Sequence, residues 1–165
     1  MSNFSIKVYK QYFNFAAAHF LVFADGSREP LHGHNYRVAV EGHAPELSQD
    51  MVFDFLDIKP IVRTLCNELD HKVLLPKSNS YLVITQHELN IALSCADGSS
   101  FSLPAKDVLL LPIPNTSAER LAYFFNEQLR QRVFTQYQFK FQTLQVEVEE
   151  TPGQSATYTH QENTL

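Results

Sequence analysis

Two stretches of this chain, FNFAAAH at residues 13–19 and HGHNYRVAVE at residues 32–41, change character every second residue. Phe13, Phe15, Ala17 and His19 share one parity in the first. His34, Tyr36, Val38 and Val40 share one in the second, running on from His32, with Asn35, Arg37 and Glu41 between them. A period of two belongs to a strand with one buried face, so both segments read as half-buried strands. The pairing that follows is antiparallel, with His19 ending the first strand on its apolar face and His32 and His34 opening the second. The connection, FLVFADGSREPL, is too long for a tight turn, and connections of that length in a compact domain are commonly functional.

The rest of the chain alternates helical and strand signals. A helix is expected from about Asp57, with Pro60 in its first turn, Ile61, Val62, Leu65 and Leu69 at helical spacing, and an end near Asp70-His71. Residues 78–113 read as an accessory β-hairpin around the Asp97-Gly98 turn. Thr116 with Glu119 makes a capping box for a second helix, striped by Leu121, Phe124, Phe125, Leu129 and Val133. TLQVEVEE is a closing strand with Leu144, Val146 and Val148 inward, and QYQFKFQ alternates as one more. The expectation is a single α+β domain over residues 1–165, in the order ββα, hairpin, αβ.

Composition narrows the function classes. With 44% apolar residues over 165 positions the chain can bury a core. Thirteen basic against eighteen acidic side chains, with no Lys/Arg block, argue against a nucleic-acid or anionic-membrane surface. MSNFSIKVYK has no targeting pattern and no apolar run reaches membrane-spanning length, so a soluble, cytoplasmic protein is expected. The two cysteines, Cys66 and Cys95, suggest reduced thiols rather than a disulfide framework.

His32 and His34 lie on one strand face about 7 Å apart along the backbone, which lets two imidazoles converge on one ion. Antiparallel pairing brings His19 opposite them as a third ligand. Three neutral imidazoles suit Zn²⁺ and leave a fourth position for water or substrate. Gly33 removes a side chain where a ligand must come close. Histidines at this spacing are also met as plain core or surface groups. A cupin places a glutamate four or five residues after its second histidine, where this chain has Val38 and Ala39, and a TIM-barrel amidohydrolase needs a much longer chain.

FNFAAAH, LHGHNYRV, MVFDF, ELDH, NTSAERLA and VEVEET stand in the order, and at most of the spacings, found in the 6-pyruvoyl-tetrahydropterin synthase and 6-carboxy-tetrahydropterin synthase family. The chain resembles a member throughout, apart from residues 78–113. The resemblance implies the tunnelling fold, a four-stranded antiparallel sheet with two helices on one face, assembled as a trimer or hexamer, with Zn²⁺ on His19, His32 and His34 and sites built between neighbouring subunits. It also implies that Glu150 anchors a pterin ring, since a carboxylate accepts from the ring N–H and the exocyclic amine together. An acidic strand end is the other reading of that glutamate. Thr116 and Ser117 in the NTSAE segment become substrate contacts. Asp70 and His71 match a proton-transfer pair, although a helix C-cap would leave the same two residues there.

The family's chemistry starts from dihydroneopterin triphosphate, with a cysteine as base four residues before the first histidine of HGH. That position is Arg28 here, and a guanidinium cannot be deprotonated to act as a base. Glu29 is the substitute, ahead of Asp25 and Ser27, because relatives that carry glutamate in this loop cleave the side chain to a 6-hydroxymethyl-dihydropterin; a solvated loop glutamate is the other reading of that residue. Three functions stand open at this point. They are a lyase with altered chemistry, a zinc-dependent hydrolase or isomerase on another purine-like substrate, and a non-catalytic pterin- or purine-binding oligomer.

Overall fold

The computed structural model describes residues 4–162. The two alternating segments form β2 (Asn14–His19) and β3 (His32–Ala44), paired antiparallel in a register that sets His19 opposite His32 and Ala17 opposite His34. Their inward residues Phe15, Tyr36, Val38 and Val40 are buried, and the outward Asn35 and Arg37 are not. β3 is long enough to serve two neighbours on one side. Its first half holds β2, and its second half holds β1 (Phe4–Val8). On its other side runs β9 (Thr143–Thr151), joined in turn to β10 (Gln154–Gln161).

The sheet is larger than expected and not wholly antiparallel. β4 (Lys72–Pro76) pairs parallel to β2, and β8 (Val108–Leu111) parallel to β4, giving seven strands in the order β10-β9-β3-β2-β4-β8 with β1 on β3. A four-stranded antiparallel sheet is therefore corrected to a seven-stranded mixed one. Of the missed strands, β1 alternates Phe4, Ile6 and Val8 over only five residues, β10 is mostly polar and half exposed, and β4 and β8 are short apolar runs that periodicity cannot assign.

Both helices lie on the inward face, where Phe125 stacks on Phe15 with ring centroids 5.6 Å apart. α1 (Phe55–Leu69) starts two residues earlier than expected, because the Asp54 side chain accepts from the Leu56 amide at 2.7 Å. Pro60 consequently sits in the second turn, and the helical bond it cannot donate falls on the carbonyl of solvent-exposed Leu56. α2 (Ala118–Tyr137) is capped by Ser117, which accepts from the Arg120 amide, so the capping box on Thr116 and Glu119 is displaced by one residue. α2 also absorbs Tyr137. Gln138 ends it in the left-handed region, and Phe139 and Phe141 then pack on Phe53 as irregular chain rather than as a strand. Ile58, Ile61, Leu65 and Leu69 of α1 join Leu121, Phe125 and Leu129 of α2 and Leu144, Val146 and Val148 of β9 in one core.

The insertion is a three-stranded antiparallel meander, not a hairpin: β5 (Leu82–Gln86), β6 (Asn90–Cys95) and β7 (Ser100–Pro104). It has its own small core, in which Leu82, Ile91, Leu93 and Cys95 meet Leu75 of β4 and Phe20 and Val22 of the β2–β3 connection. Among the described residues no helix is long and apolar enough to cross a membrane.

Candidate metal centre

The register of β2 on β3 makes the site. His19, His32 and His34 each offer a ligand nitrogen, and these atoms all lie within 4.8 Å of one another. Ring centroids stand 4.7 Å (His19–His32), 5.3 Å (His19–His34) and 4.8 Å (His32–His34) apart. Nδ1 of His19 is 3.0 Å from the Thr116 carbonyl and Nδ1 of His32 is 2.8 Å from the Pro30 carbonyl. Carbonyls only accept, so both Nδ1 atoms carry the proton and both Nε2 atoms present a lone pair. His19 is 1% exposed, and its Nε2 has no hydrogen-bond partner among the described residues. Burial lowers the pKa of that ring below its ordinary value, against the opposing pull of the Thr116 carbonyl and Glu150, which favours the neutral, ligating form. A buried nitrogen left without a partner, beside the His32 imidazole with its tautomer fixed in the same way and the imidazole of His34, fits a Zn²⁺ ion.

Glu150, at the end of β9, brings Oε1 to 3.4 Å from Nε2 of His19 and 3.7 Å from Nε2 of His34. Tyr36 lies beneath, fully buried, its ring 5.8 Å from that of His19 and 5.7 Å from that of His34. Its hydroxyl donates to Glu150 Oε1 at 3.4 Å. Burial first, then the charges of Glu150 and Glu29, push the phenol far above its ordinary value, so it remains a donor. Tyr36 went unremarked as a site residue, though its parity with His32 and His34 was the signal that would have found it.

Glu29 lies in the connection between β2 and β3, where it is tied to Leu21, two residues beyond His19. Its carboxylate accepts from the Leu21 amide at 3.1 Å and its own amide donates to the Leu21 carbonyl at 3.0 Å. Arg28 turns the other way, toward the accessory sheet, where its Nε donates to Ser99 Oγ at 2.8 Å. Asp25 is occupied by the amide and hydroxyl of Ser27 in an exposed turn.

Thr116 is buried. Its hydroxyl donates to the Phe20 carbonyl at 2.9 Å, and its own carbonyl orients His19. Ser117 caps α2. Gly33 faces away from the histidines, and a Cβ there would lie 3.0 Å from the Ala17 carbonyl, so the close approach it allows is that of β2's backbone rather than of a ligand.

Asp70 and His71 lie apart from this centre. Asp70 accepts from the Ala16 amide at 2.8 Å through Oδ1 and pairs with Nδ1 of His71 at 2.9 Å through Oδ2. His71, at φ 58°, donates its amide to the Ala16 carbonyl, and its side chain is 83% exposed. The pair lines a cavity of about 1080 Å³ with Lys7, Lys10, Asn35 and Arg37. Asn35 and Arg37 point to the opposite face of β3 from His34 and Tyr36, so one chain does not bring His71 to its own three histidines.

A family model described as 6-pyruvoyl tetrahydropterin synthase matches residues 7–161. A Methanocaldococcus jannaschii protein named putative 6-carboxy-5,6,7,8-tetrahydropterin synthase is 35% identical over 146 residues, 87% of this chain and 88% of its own. The structure of 6-pyruvoyl tetrahydropterin synthase from Plasmodium vivax superposes with a TM-score of 0.90 at 31% identity, covering 98% of this chain and 100% of that one. That from Plasmodium falciparum does so with a TM-score of 0.89 over the same shares, also at 31% identity. Two further Plasmodium vivax structures are described as catalytic-residue mutants, with a glutamate replaced by alanine in one and by cysteine in the other. The match spans all strands of the main sheet and the insertion alike, so the α+β architecture is the tunnelling fold and the chain belongs to the 6-pyruvoyl tetrahydropterin synthase family.

Proposed function

We propose that the protein is a zinc-dependent lyase acting on dihydroneopterin triphosphate or a closely related dihydropterin, with Glu29 as the general base and a 6-hydroxymethyl-dihydropterin as product. The observation that carries this is the grouping of Glu150 and Tyr36 with three histidines, with Glu29 tied to the Leu21 amide in the connection between the two strands that bear them and no thiol in that connection. Cys66 is buried in the core, which pushes its thiol up to about 12, and Cys95 is buried in the accessory sheet. The glutamate described as catalytic in the Plasmodium vivax protein supports a carboxylate in the role that cysteine would otherwise take.

Zn²⁺ held by His19, His32 and His34 would acidify the hydroxyls of the substrate's side chain. Glu150 accepts from the pterin's ring N–H and exocyclic amine, and the Tyr36 hydroxyl orients that carboxylate. Glu29 takes the proton of the side chain's 2′-hydroxyl. The C1′–C2′ bond then breaks, its electron pair staying on C1′ while C2′ becomes a carbonyl, and the proton returns to C1′ to leave the hydroxymethyl group. Asp70 holds the His71 tautomer for proton transfer at a site completed by a neighbouring copy, because the pair faces away from its own chain's histidines. The open edges of β8 and β10 suit closure of copies into a trimer or hexamer. Thr116 and Ser117 border the substrate position, and Thr116 also acts through His19.

The test is to incubate zinc-loaded protein with dihydroneopterin triphosphate and identify products by mass spectrometry. A general base contributes about a hundredfold to ten-thousandfold. Glu29→Gln should lose that much turnover while keeping zinc and pterin binding. Parental turnover in that variant would remove Glu29 from the mechanism, and a pyruvoyl product would replace the cleavage reading.

A further inference from the structure

Arg28 stands where the family's cysteine base would be, and the three-stranded insertion closes around it. The side chain is 16% exposed. Its Nε donates to Ser99 Oγ at 2.8 Å and lies 3.3 Å from Asp97 Oδ2. The guanidinium carbon stands 4.7 Å from the centroid of Phe101 and 5.4 Å from that of Phe20, two rings stacked 5.7 Å apart. Nη1 turns back to donate to the carbonyl of Glu29 at 2.8 Å. The grip is itself braced, since Ser99 donates to Asp97 Oδ1 from both its amide and its hydroxyl.

Other ties join the same partners. Tyr81 donates its hydroxyl to the Ala24 carbonyl at 2.7 Å, and a Cβ on Gly26 would lie 3.2 Å from the Tyr81 ring and 3.3 Å from Ala96 Cβ. The loop between β2 and β3 forms its own short ladder, with a Val22–Arg28 bridge and the reciprocal Leu21–Glu29 bonds. In that extended backbone consecutive side chains point to opposite sides. Arg28 enters the accessory sheet while the Glu29 carboxylate turns to the Leu21 amide.

We propose that the accessory sheet is a positioning device for the Glu29 loop and that Arg28, clamped by Asp97 and Ser99, is the residue through which it acts. This rests on the reading of Glu29 as base. Arg28 touches no reacting atom. It fixes the Glu29 backbone through the carbonyl and sets the register of the ladder that aims the carboxylate.

The experiment compares Arg28→Gln, Arg28→Lys, Asp97→Asn, Glu29→Gln and the Arg28→Gln/Glu29→Gln double variant, all in the full chain. It measures zinc content, kcat and KM with dihydroneopterin triphosphate, and hydrogen exchange at the Leu21 and Glu29 amides. Arg28→Gln and Asp97→Asn should each lower kcat about tenfold, the order expected for losing hydrogen bonds to a charged group, with KM and zinc unchanged. Arg28→Lys should recover only part, because a single ammonium does not reproduce the planar fork in which Nε serves Ser99 and Nη1 serves the Glu29 carbonyl. In the Glu29→Gln background Arg28→Gln should cost nothing further, and exchange at the two amides should quicken in both clamp variants. Equal losses from Arg28→Gln in both backgrounds, or unchanged exchange, overturn the proposal. If Glu29→Gln turns over like the parent, the base assignment falls by itself and the exchange arm decides the clamp. Should Arg28→Gln fail to fold, Asp97→Asn carries the same comparison.

Discussion

The carbonyl of Thr116 meets Nδ1 of His19 at 3.0 Å across 97 positions of sequence, and this contact selects the nitrogen a buried ring has left for a metal. The approach to α2 thereby orients an imidazole on β2. Zinc bound only by the folded chain stabilises it by about 2.7 kcal/mol at a hundredfold excess over Kd. For a chain of this size that is a rise in Tm of about 5–10 °C. Thermal scans with zinc and with chelator should show that rise in the parent and its loss in His32→Ala and His34→Ala. Undiminished zinc content in both variants would sink the metal assignment.

A second relationship, the 3.4 Å contact from Tyr36 to Glu150, predicts graded effects on pterin binding. Glu150→Gln replaces an acceptor-only group by one that presents a donor to the ring N–H, so pterin affinity should collapse while zinc is kept. Tyr36→Phe removes only the orienting hydroxyl and should weaken pterin binding about two- to tenfold, the range of one hydrogen bond. Titration of a pterin by fluorescence reads both. Equal affinity in Glu150→Gln and the parent would count against the anchor.

The histidine cluster was legible because strand parity and antiparallel pairing are local rules, and His19, His32 and His34 obey both. The loop's division of labour was legible only in part. Glu29 stood out by its type, but the grip on Arg28 depends on Asp97, Ser99 and Phe101, some seventy positions away, and no period links them. Asp70 and His71 matched a motif, yet their side of the sheet follows from the left-handed turn at His71 that leads into a parallel strand, which alternation does not encode. Thr116 and Ser117 fall one residue apart in a capping pattern that fits either. Ser117 takes the cap, while Thr116 gives its hydroxyl to the Phe20 carbonyl and its carbonyl to His19.

Asp70 also sets a pH dependence. Burial by itself would raise its carboxyl, but the Ala16 amide and the His71 ring outweigh that and hold it below its ordinary value. A carboxyl with a depressed folded pKa contributes stability that is complete above the unfolded value of about 3.9 and is lost as pH falls through the lower folded one. Asp70→Asn should therefore be less stable than the parent at neutral pH, with the gap closing below about pH 4. Urea midpoints at pH 7 and pH 3 measure it. A gap that stays constant would mean that the Ala16 contact is indifferent to charge.

Gly42 tests whether the sheet and the metal centre can be perturbed separately. It lies in the part of β3 that pairs with both β1 and β9, opposite Ile6 and Leu144. A Cβ there would fall 2.5 Å from Cε1 and 2.6 Å from Cδ1 of Phe141, whose ring cannot retreat, being 4% exposed and packed against Phe53 and Phe139. Gly42→Ala should then cost about 1–3 kcal/mol as overpacking. Phe141→Leu frees the space at its own cost in lost burial, and the double variant should be more stable than the two single losses predict, with a coupling of about 0.5–3 kcal/mol. His34 stands eight residues back along the same strand, about 26 Å at strand rise, so zinc content should be unchanged in all three variants. Additive losses in urea unfolding would show that Phe141 is not what forbids a side chain at position 42, and zinc lost along with stability would show that β3 transmits strain along its whole length.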